Sequence, residues 1–395
     1  MSRHLTIMRK PMAPQRIGLR WTRARITRQL IRLGSIIVLL LCLSSVPTAR
    51  MQDDGFSLIW QQVATQPEDF AVGCERLDSG ERLDSGRSPI LYNADVAFPI
   101  ASITKVLIFM EYASRLEAGS ISPDETVEVS VLDRYNLPRT DRGAHDLFMQ
   151  QYPATIRTLR LRDVALGMVQ YSSNAASDYL LDRLAPIEWG TLFQALSITG
   201  STLPHSLTMI SLLMNNHETG KAQLADLAAL SISQGESYLD LYTTDESWRE
   251  QEIAYRAPRG SDFPDWETQG AILQRHTALG TIRDYMRVLR AIYSADSTLS
   301  ESVRSMTREA MRWVNNEYID TNYVEYGSKL GFYSGGTLAL IAYGDPLVGE
   351  PIISATFLRN IPRQVYNNLV RNDVIGDFAH WLNLNRCNGL EAQLP

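Results

Sequence analysis

Hydrophobic and polar positions change period in blocks along the chain, and the blocks predict its elements. Residues 69–74 and 88–92 read as two short strands. Between them, from Glu75 to Gly86, the chain spells E-R-L-D-S-G twice, an enlarged hairpin turn that carries no evident chemistry. Residues 98–110 join a short extended approach to an apolar helical run, which closes at the glycine stop Glu117-Ala118-Gly119. Residues 127–131 alternate like a strand and lead into a loop containing Tyr135-Asn136-Leu137-Pro138. Helical spacing runs from 159 to 168, breaks at the polar Gln170-Tyr171-Ser172-Ser173-Asn174, and resumes from about 175 to 184. Residues 186–265 show helical stretches only near 189–196 and 222–230, then a long irregular connection at 256–264. Residues 277–293 and 300–314 are periodic helices. The chain then returns to strands: 324–332 and 337–343 flank the turn Tyr333-Ser334-Gly335-Gly336, and 351–358 is a third strand. A last helix is expected over about 363–382. Strands first, helices in the middle, strands and a helix last predict a discontinuous α/β body with an all-α insertion.

The first fifty residues differ from the rest. Nine basic side chains from Arg3 to Arg32 occur with no acid, followed by Ile36-Ile37-Val38-Leu39-Leu40-Leu41-Cys42-Leu43 and a small-residue exit at Ser44, Ser45, Thr48 and Ala49. This is the pattern of an export signal, and the apolar segment is short of the ~20 residues a spanning helix prefers. Pro47 suits cleavage after Ala49 poorly, which leaves retention as an N-terminal membrane anchor open. The protein is therefore expected outside the cytoplasm, touching a membrane only through this segment. Without the nine positive charges the net charge moves from −6 to −15, which argues against nucleic acid as a partner. A composition of 45% hydrophobic and 21% charged residues is globular. Beyond the leader only Cys74 and Cys387 remain. They read equally as a disulfide joining the ends of one domain and as two separate buried thiols.

The candidate chemistry begins at Ser102-Ile103-Thr104-Lys105. At i, i+3 on a helix both side chains share one face, so the lysine amine can reach the serine hydroxyl. S-x-x-K by itself is weak, but only four of the 38 basic residues are lysines: Lys10, Lys105, Lys221 and Lys329. Arginine stays protonated, whereas a desolvated lysine can lose its proton and act as a base. The six histidines are scattered, with no H-x-x-x-H pair and no C-x-x-C, so no metal or other cofactor is expected. There is no G-x-S-x-G elbow and no phosphate-binding glycine loop.

Two further motifs follow in order: Ser172-Ser173-Asn174 in the break between helices, and Lys329-Leu330-Gly331 on the strand entering the last hairpin. S-x-x-K, S-x-N and K-x-G in that order, on those elements, resemble the serine β-lactamase and penicillin-binding protein superfamily, most nearly the class A β-lactamases. The resemblance extends over residues 90–108, 161–181, 277–293 and 328–358. It implies an α+β fold in which an antiparallel sheet of about five strands is flanked by N- and C-terminal helices. By this reading the catalytic domain is 51–395, its α/β part about 51–110 and 320–395 and its all-α part about 111–319, following the leader 1–50.

The resemblance also implies roles. Ser102 would be acylated, Lys105 would take its proton, and Ser172 would relay a proton to the leaving nitrogen. Asn174, Lys329 and Gly331 would bind substrate, with Tyr135 at the cleft rim. The backbone N–H groups of Ser102 and Phe332 would form an oxyanion hole. The sequence departs from the family at Ser173, usually Asp; at Leu330, usually Thr or Ser; and at Leu338, where many class A enzymes carry an arginine that Arg275 or Arg359 would have to replace. No E-x-x-x-N follows the second motif. Glu267 is the best local match to the hydrolytic base, with Ala271 in the asparagine position, and Glu218 is a weaker one. The implied function is a monomeric acyl-serine hydrolase opening a β-lactam or related amide. Two alternatives remain: a penicillin-binding, D-alanyl-D-alanine peptidase-like enzyme acting on peptidoglycan-like peptides, and a sensor of the same fold with impaired turnover.

Overall fold

Two strands that are apolar on both faces form the centre of the sheet, because both faces are covered. These are β4 (Thr337–Pro346) and β5 (Ile352–Leu358). With β1 (Phe70–Arg76), β2 (Ile90–Tyr92) and β3 (Tyr323–Tyr333) they make a five-stranded antiparallel sheet in the order β2-β1-β5-β4-β3. The computed structural model describes residues 56–77, 88–258, 262–294 and 297–395. The leader and most of the E-R-L-D-S-G duplication lie outside the described residues.

Side chains alternate between two cores, as period two requires. Ala339, Ile341 and Tyr343 of β4 and Ile353, Ala355 and Phe357 of β5 face one core. This core also takes the helix α2 (Lys105–Glu117), along with α9 (Ile282–Tyr293) and α10 (Glu301–Met311). Leu338, Leu340 and Ala342 face the other, which is covered by α1 (Ser57–Thr65), α11 (Arg363–Arg371) and α12 (Val374–Leu384). Among the described residues no helix is long and apolar enough to cross a membrane.

The remaining helices build the insertion. α3 (Leu161–Gln170) and α4 (Asn174–Arg183) flank the second motif, and α5 (Leu207–Met214), α6 (Ile232–Thr244), α7 (Glu246–Arg256) and α8 (Trp266–His276) fill the stretch before α9. Several expectations change here. The strand expected at 127–131 is only Thr126–Glu128, paired with Thr158–Arg160, and the chain turns helical at Val129. The helix expected from 277 begins at Ile282, because Leu279–Gly280 is extended and pairs with Phe98–Pro99. At 222–230 there is one 3-10 turn, Leu224–Asp226, in place of a helix. The last helix divides in two at Asp373, whose φ of 51° is left-handed.

Cys74 on β1 and Cys387 after α12 form a disulfide, with Cα atoms 5.7 Å apart and both residues buried. It ties the first strand to the end of the chain across 313 residues of sequence. Replacing Cys74 or Cys387 by serine is expected to lower unfolding stability by about 2–4 kcal/mol. Urea titration of oxidised and reduced protein measures this; equal midpoints would show that the bond adds nothing.

Candidate active site

Ser102 lies on a 3-10 turn, Ala101–Thr104, between the Phe98–Pro99 strand and α2. Ala101 before it has φ 46°, a left-handed conformation that costs an L-residue about 1–2 kcal/mol. Both sides of that residue are pinned: Ile100 N donates to Ala278 O at 3.2 Å, and Ile103 N donates to Ile100 O at 3.1 Å. The start of α2 is then fixed by burial of Val106, Leu107, Ile108, Phe109 and Met110.

Lys105, the first residue of α2, is fully buried. Its Nζ lies 2.6 Å from Ser172 O, 2.8 Å from Asn174 Oδ1, 3.2 Å from Ser102 Oγ and 3.3 Å from Ser172 Oγ. Burial pushes its pKa well below the ordinary 10.5, and the charge of Lys329 adds to this, while Asp141 and Asp178 pull the other way. A neutral amine has two protons and one lone pair. The two nearest partners, carbonyl oxygens that only accept, take the protons. The lone pair is left to the hydroxyls of Ser102 and Ser172.

The second motif is bent to meet this amine. Ser172 has φ 66°, and such strain in a non-glycine residue is held only where its surroundings fix it. Ser173, the unusual member, is fully buried and caps α4 by accepting from Ala176 N at 3.1 Å. Its Oγ is also 2.9 Å from Nδ1 of His145, whose Nε2 is 3.2 Å from Asp133 Oδ1. An Asp133–His145–Ser173 chain therefore holds the loop. His145 comes from the stretch between the first two motifs, where no local pattern marks it. One turn after Asn174 on α4, Asp178 is buried and accepts from the backbone N–H of Leu207 and Thr208 at 3.0 and 2.9 Å, which seats α5 beside the site. Its i, i+4 spacing from Asn174 is the signal that the sequence offers for it.

The third side of the cleft is β3, an edge strand of the sheet. A Cβ built on Gly331 would lie 2.3 Å from Ile100 O and 3.0 Å from Ser102 N, so only glycine lets the strand pass this close. Lys329 is buried and donates to Ser172 Oγ at 2.9 Å. Burial pushes its pKa down to about 7. Ser172 thus lies between two lysine amines. Leu330 and Phe332 turn to the opposite face and pack against the α11–α12 core. Arg142 reaches across from the insertion, its guanidinium 5.2 Å from the centroid of Phe332.

The other sequence candidates sit elsewhere. Glu267 is exposed on the first turn of α8, whose preceding Trp266 donates to Ile361 O and packs on Tyr366. Among the described residues no hydrogen bond or ion pair joins Glu267 to Ser102, Lys105 or Ser172. Glu218 accepts from Trp248 Nε1 at 2.8 Å within the insertion. Tyr135 packs on Tyr179 and donates to Asp182 Oδ2 at 2.8 Å. Arg359 is spent on Asp69 Oδ1 and Ala97 O, and Arg275 is exposed on α8. Among the described residues no group of three or more His, Cys, Asp or Glu side chains is placed to hold a metal ion.

Solved structures similar to this chain include two β-lactamases and PBP-A. The β-lactamase from Sphaerobacter thermophilus DSM 20745 is 13% identical over 81% of this chain and 94% of its own, with a TM-score of 0.50. The ancestral class A β-lactamase GNCA is 16% identical over 81% and 99%, with a TM-score of 0.46. PBP-A is 16% identical over 82% and 96%, with a TM-score of 0.46. At such identities the likeness is one of fold. No curated protein matches the sequence significantly. The model of the "Beta-lactamase enzyme family" matches residues 63–335, most of the chain and all three motifs, and the protein belongs to that family, within the serine β-lactamase and penicillin-binding protein superfamily.

Proposed function

We propose that this protein opens a β-lactam or a related amide by acylation of Ser102. The observation that carries this is the buried Lys105 amine, whose Nζ lies against two carbonyl oxygens and 3.2 Å from Ser102 Oγ. Ser102 Oγ attacks the carbonyl carbon as its proton passes to Lys105 Nζ, and the N–H groups of Ser102 and Phe332 receive the oxyanion. Ser172, bridged by both lysines, then hands its hydroxyl proton to the leaving nitrogen as the amide bond breaks and regains one from protonated Lys105. Asn174 gives its carbonyl oxygen to Lys105, which leaves its amide N–H groups for the substrate. Lys329, beside Ser172, favours an anionic substrate. The leader pattern and the disulfide support action outside the cytoplasm.

One arrangement favours a second reading, slow deacylation in the manner of a penicillin-binding protein. A hydrolytic water needs a base with free oxygens. Asp141 spends its carboxylate on the N–H groups of Gly143, Ala144 and His145, and Asp178 on Leu207 and Thr208. Glu267 is on α8's exposed turn.

Purified protein incubated with a chromogenic cephalosporin and a fluorescent penicillin, followed by intact mass, is expected to gain one adduct that Ser102→Ala lacks. Lys105→Met should slow its formation by roughly 10²–10⁴-fold. Fast turnover with a transient adduct would favour the hydrolase, a lasting adduct the penicillin-binding reading, and no adduct with any β-lactam would sink both. Glu267→Gln is expected to leave adduct lifetime unchanged; a longer lifetime would return Glu267 to the mechanism.

Acylation needs neutral Lys105, so its rate should rise with pH through the lowered lysine pKa. Lys329→Met removes a positive charge that holds this value down, and the acid limb should move to higher pH; a stationary limb would contradict the coupling.

A further inference from the structure

The start of β3 and the end of β4 carry an apolar surface that the acylation chemistry does not use. Ten large hydrophobic residues are exposed among those described, and six of them gather here: Trp313, Val314, Tyr318, Val324, Leu347 and Val348. The other four are scattered over the insertion. Val324 is 62% and Val348 77% exposed, which the fold itself gains nothing from.

Backbone hydrogen bonds and ring contacts tie the six into one face. Trp313 N donates to Tyr326 O and its indole to Ser328 Oγ, which places it beside β3. Leu347 N donates to Asn322 O, bringing the end of β4 beside the start of β3. Tyr318 packs on His380 of α12, 5.0 Å between ring centroids. Arg386, just past α12, donates to Val348 O at 2.7 Å.

The beginning of the described chain lies at the same pole. Phe56 packs on Phe378 and Trp381, the latter next to His380 on α12. Only twelve residues separate Phe56 from Leu43, the end of the leader's apolar segment. Fully extended, they span at most about 40 Å. Val324 is five strand residues from Lys329, about 17 Å, whereas Trp313 stands beside Ser328, the neighbour of Lys329.

We propose that this face rests on the lipid surface that holds the apolar segment 36–43, with Trp313 and Tyr318 at headgroup level. Tryptophan and tyrosine suit that depth because each has an apolar body and a polar tip. The rim mixes Arg312 and Arg386 with Glu317 and Asp320, all solvent-facing or partly so, so the contact is apolar in kind and needs no anionic lipid. Such docking depends on retention of the leader segment and is independent of the acylation chemistry.

The test uses the full chain in a Cys42→Ser background, reconstituted into phosphatidylcholine vesicles, with an environment-sensitive fluorophore on a cysteine placed at Val348 and, separately, at Leu224 in the insertion. Circular dichroism and a cooperative thermal melt check that each variant is folded, whichever way the membrane result falls. The expected result is blue-shifted emission at position 348, quenched by spin-labelled lipid and insensitive to salt, with neither effect at 224. Equal, water-like emission at both sites in chain that sediments with the vesicles would overturn the proposal. So would a shift at 348 that vanishes at one copy per nanodisc, which would assign the face to a second copy of the chain.

Discussion

Everything in the cleft depends on the burial of one amine. Lys105 is enclosed completely, and a full charge there would cost several kcal/mol. Its environment supplies two carbonyl acceptors and two hydroxyls, so a neutral amine can place both protons on the carbonyl oxygens and offer its lone pair to a serine. Lys329, nearly as buried, is a positive charge close enough to push the same way. Three distant pieces of chain must converge for this: α2, the Ser172 turn and β3. Strain at Ala101 and Ser172, and the missing side chain of Gly331, are the local costs of that convergence.

The sheet and the three motifs are legible in the sequence because their signals are local. Strands covered on both faces give unbroken apolar runs such as Leu338-Ala339-Leu340-Ile341-Ala342, and the turn between β3 and β4 is written in glycine. Lys105 and Lys329 stand out by residue type alone, in a chain whose basic residues are otherwise almost all arginine. The family model bears out the superfamily, and the five-stranded sheet with its two helical layers bears out the mixed fold.

The part of the insertion between 197 and 265 is poorly legible for physical reasons. α7 buries Trp248, Glu252 and Arg256, and its buried face is held by a Glu252–Arg256 ion pair. A search for apolar periodicity passes over such a helix. α5 is eight residues buried all round, a run that reads as strand or helix alike. The break at Asp373 has no glycine or proline to announce it. His145 escapes a reading of the sequence because it meets Ser173 only through tertiary structure, 28 residues away along the chain. That contact also accounts for the serine in the family's aspartate position: the loop is held by an imidazole instead. Glu267 has the right place in the chain, ahead of α9, but α8 begins against Tyr366 and Ile361, and the carboxylate is left in solvent.

The scarcity of lysine makes the protonation state of Lys105 directly measurable. With only four lysines in the chain, protein labelled with ¹³C at lysine Cε gives few resonances, and a Lys105→Arg variant assigns the one that matters. The Lys105 signal is expected to titrate well below 10.5. A Lys105 resonance that titrates near the ordinary lysine value would mean that the amine is charged at neutral pH, and activation of Ser102 by a neutral lysine would be contradicted.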